Sequence, residues 1–86
     1  MLADPIVALA TPPGLAALAV VRLTGEGAIE VGAQVVPGLA GLPARVATLA
    51  RFLDADGALI DRGLVTLFRA PASYTGHDLV EFSCHG

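Results

Sequence analysis

Apolar residues in this chain fall mostly in short runs that alternate or stay continuous over four to eight positions, the period of strands rather than helices. Ile6-Val7-Ala8-Leu9-Ala10 is continuous and β-branched at its start, and Thr11-Pro12-Pro13-Gly14 ends it with a turn. Ala16 to Leu23 reads as a second buried strand around Val20 and Val21. Thr24 then offers an N-cap, Glu26 places a negative charge in a first turn, and Ala28, Ile29, Val31 and Val35 form a loose helical stripe. This predicts a helix over Gly25 to Val35, weakened by Gly27 and Gly32 and stopped at Pro37-Gly38. From Arg45 to Leu53 the pattern alternates again. Asp54-Ala55-Asp56-Gly57 is the strongest turn signal, since Asp-Gly supplies the positive φ of a tight hairpin. The returning strand covers Leu59-Ile60 and Leu64 to Phe68, in one piece or in two around Asp61-Arg62-Gly63. Pro71 to Gly76 is a loop, and Leu79 to Cys84 is the last strand.

Five strand-like runs and one early helix give an α+β domain with a mixed, largely antiparallel sheet. A doubly wound parallel sheet would need regular alternation of strands and helices, which the pattern lacks. The final strand runs into His85 and Gly86 without a closing polar or breaker cluster, so the chain is expected to be part of a longer protein.

Composition changes this picture little. The 86 residues suit one domain, and 55% of them are hydrophobic, a core-forming proportion. A domain this small is marginal alone, which favours a second copy or more chain. The net charge of −3 argues against a free-standing nucleic-acid binder, which needs a basic face. One cysteine, Cys84, permits no intrachain disulfide and fits a reducing cytoplasm. No apolar run has the length of a membrane span, and Met1 to Asp4 lacks the positive start of a signal peptide.

Candidate chemistry is sparse. Thr11-Pro12-Pro13-Gly14 lacks the lysine and the following helix of a phosphate loop, so it reads as a rigid turn. Arg22 is a lone charge in an apolar strand, and Glu81 stands between Val80 and Phe82 in the last one. Each is either a solvated side chain, one half of a mutual ion pair, or an inward charge that must find a counter-charge. The loop from Pro71 to Asp78 gathers Ser73, Tyr74, Thr75, His77 and Asp78. A Ser73/His77/Asp78 catalytic trio is conceivable, but triads converge from separated segments. Cys84 and His85 are neighbours on a strand and point to opposite faces, so even with His77 they make a poor metal set. Cys84 reads as a small buried hydrophobe. No complete catalytic site and no metal site is expected.

Three stretches together resemble one family. They are Asp4 to Gly14, the strand ending Ala19-Val20-Val21-Arg22-Leu23-Thr24-Gly25, and Phe68 to Gly86 with its Ser73-Tyr74-Thr75-Gly76-His77-Asp78 core. They are similar, in order and spacing, to the amino terminus of the bacterial tRNA modification GTPases MnmE, also called TrmE. Leu15 and Ala16 stand where the family usually has Arg-Gly, and His77 where it is usually acidic. The resemblance implies a fold similar to the folate-binding domains of one-carbon enzymes. It implies a domain over residues 1–86, itself incomplete, that forms a homodimer and binds a tetrahydrofolate derivative, 5-formyl- or 5,10-methylene-tetrahydrofolate. Folate contacts of the family carry over to Arg22 and Glu81, with Tyr74 as a ring-packing candidate. The parent would be a cytoplasmic GTP-hydrolysing enzyme. With its FAD-dependent partner MnmG it would modify the wobble uridine of certain tRNAs, using GTP, magnesium and potassium in a G domain beyond Gly86. A purely structural dimerisation module without ligand is the alternative.

Overall fold

The computed structural model describes residues 5–9, 18–73 and 75–85. The turn read at Thr11-Pro12-Pro13-Gly14, the departures Leu15 and Ala16, and Tyr74 lie outside the described residues. Among the described residues five strands form one sheet: β1 (Ile6–Leu9), β2 (Leu18–Thr24), β3 (Thr48–Leu53), β4 (Leu59–Phe68) and β5 (Leu79–His85). One α-helix, α1 (Ala28–Val35), and a short 3₁₀ turn, Leu39–Gly41, connect β2 to β3. The spatial order is β1-β2-β5-β4-β3, and each neighbouring pair is antiparallel. The expected α+β class therefore holds, with every strand pair antiparallel.

Period-two alternation sets the two faces. Leu23, Phe52, Val65, Leu67, Val80 and Phe82 point to one face and meet Ala28, Ile29, Val36 and Leu39 from the helical segment. Phe52 and Phe82 meet edge to face with centroids 5.5 Å apart, a geometry that adds to their burial. The helix can lie close because Gly32 presents no side chain: a Cβ there would come within 2.7 Å of Leu39 and 3.4 Å of Val80. The opposite, outer face carries no helix among the described residues.

Three boundaries differ from the sequence expectation. Thr24 stays in β2 and does not cap the helix. Its hydroxyl instead meets the Thr75 hydroxyl at 2.8 Å and donates to the Asp78 carbonyl at 3.0 Å, tying β2 to the loop before β5. The chain turns through Gly25-Glu26-Gly27 first, so the helix starts at Ala28 behind Gly27. The third strand begins at Thr48 because Arg45 sits at φ 66 in a turn, its N–H donating to the Leu67 carbonyl. The returning strand is one ten-residue piece, since Gly63 pairs in register with Ala50 and continues the ladder. The Asp54 to Gly57 hairpin forms as expected: Gly57 has φ 83, and the Asp54 carboxylate accepts from the N–H groups of Asp56 and Ala58.

Candidate functional site

Arg22 and Glu81 are fifty-nine residues apart in sequence and directly opposite each other in the β2–β5 register. Both strands are interior to the sheet, so the pair stands near the middle of the outer face. Arg22 Nε donates to Glu81 Oε2 at 2.9 Å, with side-chain exposures of 42% and 24%. The sequence left open exposure, mutual pairing or inward burial; the structure brings the two together as a half-buried ion pair. Glu81 Oε1 has no hydrogen-bond partner among the described residues. Thr66 stands opposite Glu81 on β4, and Ala8 stands opposite Arg22 on β1. The result is a guanidinium and a carboxylate side by side, between two small side chains. Such a pair can donate to a carbonyl or carboxylate and accept from an amino group at once.

The Pro71 to Asp78 loop is organised differently from a catalytic trio. Ser73 Oγ donates to the carbonyl oxygen of His77, not to its ring. Asp78 Oδ1 accepts from the Ala70 N–H at 2.8 Å, and the His77 N–H reaches Thr75 Oγ1 at 3.2 Å. These polar atoms close the loop on itself and on Thr24, and they form no Ser-His-Asp relay.

Sequence reasoning missed one pair. The Asp61 carboxylate accepts from the His85 backbone N–H at 2.8 Å and lies 2.8 and 3.1 Å from His85 Nδ1. It also accepts from the Arg62 N–H. The His85 N–H, then the His85 ring, hold the Asp61 carboxyl below its usual range. Only the β4–β5 pairing reveals this contact, and a single sequence does not display it. Cys84 is half-buried rather than buried; it packs against the core, with Sγ 3.6 Å from the Ala19 carbonyl oxygen. No cluster of three metal-ligating side chains occurs among the described residues.

An apolar groove lies on the helix face, away from Arg22 and Glu81. It holds about 580 Å³ between α1 and the sheet, lined chiefly by Val21, Leu23, Val31, Phe52, Ile60 and Phe82. No helix is long and apolar enough to cross a membrane among the described residues.

Residues 5–86 match the family described as GTP-binding protein TrmE N-terminus. Over 90 residues the chain is 50% identical to a tRNA modification GTPase MnmE of Thermus thermophilus, covering 99% of this chain and 20% of that protein. It is 51% identical over 85 residues to the protein of the same name from Halorhodospira halophila, covering 98% and 18%. For that of Myxococcus xanthus the figures are 46% over 82 residues, 94% and 19%. The chain thus spans about a fifth of the length of these relatives. The match runs through all five strands and through both Arg22 and Glu81, and the chain belongs to the TrmE N-terminus family.

Proposed function

We propose that this chain is the folate-binding, homodimerising module of a GTP-hydrolysing tRNA modification protein. The observation that carries the ligand half of this reading is the Arg22–Glu81 pair on the outer sheet face. A pterin presents an amino and amide edge beside a carbonyl. Glu81 Oε1 fits the amino edge as an acceptor, and the Arg22 guanidinium fits the carbonyl, or the carboxylate tail, as a donor. Thr66 and Ala8, small neighbours on the flanking strands, leave room for a flat ring. When bound, a tetrahydrofolate derivative would supply a one-carbon unit; the residues here bind and orient it and carry out no chemistry on it.

A single sheet face does not enclose a ligand, and ligand sites bury most of the surface they bind. Burial of the folate on this face therefore calls for a second wall, and a partner copy of the same domain provides one. The exposed Ile6 and Val7 on the edge strand β1, at 64% and 65%, support association. They equally favour the second reading, dimerisation without a ligand. Tyr74 is retained as a ring-packing candidate. In the whole protein, GTP hydrolysis with magnesium and potassium, action on tRNA and work with MnmG belong to chain beyond this domain, in the cytoplasm.

Thermal unfolding of the full chain with and without 5-formyltetrahydrofolate separates the readings. Ligand at one hundred times its dissociation constant stabilises the folded state by about 2.7 kcal/mol. For a domain of this size that raises Tm by roughly 10–20 °C. A folded dimer whose Tm ignores the folate would leave only the dimerisation reading.

A further inference from the structure

The β3–β4 hairpin carries a charge arrangement that the Arg22–Glu81 site does not use. The register places Arg51 directly opposite Arg62, on the outer face, and both are exposed. Directly opposed residues of an antiparallel pair hold their Cβ atoms about 5 Å apart, where like charges repel. Among the described residues neither arginine forms an ion pair. Of the hairpin's carboxylates, Asp61 bonds His85, Asp54 bonds the N–H groups of its own turn, and Asp56 makes no ion pair with either arginine among the described residues. The chain has eight acidic and five basic residues, so two uncompensated guanidiniums in one cross-strand pair run against its overall charge. On the same face, two positions along, Leu49 pairs with Leu64, and these are 75% and 44% exposed. Two positions on a strand span about 7 Å.

We propose that Arg51 and Arg62 form a phosphate-binding site, with Leu49 and Leu64 as a shelf for the flat body of a phosphorylated ligand of the nucleotide class. Two guanidinium forks match a tetrahedral dianion, which neutralises both and offers an oxygen edge to each. A carboxylate carries one charge and a single edge, and leaves half the repulsion in place. The dianionic charge belongs to the terminal phosphate monoester of a free nucleotide, whereas a backbone phosphodiester carries one charge and falls with the carboxylate. This site shares no residue with Arg22 and Glu81, and it stands or falls apart from the folate reading.

The test uses the full chain, isotope-labelled, in phosphate-free buffer. Uridine 5′-monophosphate and a short single-stranded oligouridylate are titrated separately, with chloride added to hold ionic strength constant. Binding is followed at the amides of β3 and β4. Saturable shifts there are expected, weakened at least tenfold in Arg51→Gln and in Arg62→Gln and retained in part by Arg62→Lys. Binding of the monophosphate is the expected result; binding of the oligonucleotide alone would assign a phosphodiester backbone and overturn the choice of a terminal phosphate. Without ligand, Arg62→Gln keeps or raises Tm, because it removes repulsion, whereas a merely structural arginine would lower it. Absence of shifts in β3 and β4 with the monophosphate, or affinity unchanged from the unsubstituted chain in both glutamine variants, would overturn the proposal.

Discussion

Replacing Glu81 by Gln separates the ligand role of the Arg22–Glu81 pair from any structural role. The side chain keeps its size and its position in β5 but loses its charge. Arg22 is 42% exposed, so water takes over its hydration when the partner is neutralised. The pair is therefore worth about 0.5 kcal/mol to folding, in the range of partly exposed ion pairs. That corresponds to a Tm decrease of roughly 2–4 °C for a domain of this size. The ligand loses more. A charged acceptor in a hydrogen bond contributes about 1.5–3 kcal/mol, which is about 10- to 150-fold in dissociation constant. Calorimetric titration of 5-formyltetrahydrofolate, beside a thermal melt of each protein, reads both quantities. A melt lowered by more than about 10 °C with unchanged affinity would refute the reasoning, because it would make the pair a structural clasp.

Other substitutions test the fold that positions this pair. Gly63→Ala would drive a Cβ into the Ser83 carbonyl oxygen, a backbone atom of the neighbouring strand. At about 3 kcal/mol or more of overpacking, urea unfolding should show a midpoint shift that leaves little folded protein. Leu39→Ala empties a fully buried position beneath α1 and should cost about 2–5 kcal/mol by the same measurement. Asp61→Asn should flatten the acid limb of stability. The Asp61 carboxyl titrates below its ordinary value of 3.8 in the folded state, so its contribution is complete above that value and is lost as pH falls through the lower one. Melts from pH 7 to pH 2 should converge for the two proteins at the acid end and differ at neutral pH.

The sheet was legible because its strands follow simple alternation and its hairpin carries Asp56-Gly57. Element ends were less so, each for a local reason. Thr24 has the chemistry of an N-cap, yet long-range contacts to Thr75 and Asp78 claim its hydroxyl and hold it in the strand. Asp61-Arg62-Gly63 looks like an interruption in a linear reading, while Gly63 is what allows β5 to approach β4 so closely. Arg22 and Glu81 stood out singly as charges in apolar strands. Their meeting depends on the β2–β5 register, which brings the second strand against the last one and which no local pattern encodes. The Asp61–His85 pair was invisible for the same reason.

The most direct test of the central claim is to map where the folate binds. Labelled full chain, titrated with 5-formyltetrahydrofolate, should show saturable amide shifts centred on Arg22, Glu81 and Thr66, the residues that share the middle of the outer face. Those shifts should vanish in Arg22→Ala and in Glu81→Ala. Shifts centred instead on Val31, Phe52 and Ile60 would place the ligand in the helix-face groove, and a folded protein with no shifts would bind no folate; either result would contradict the account.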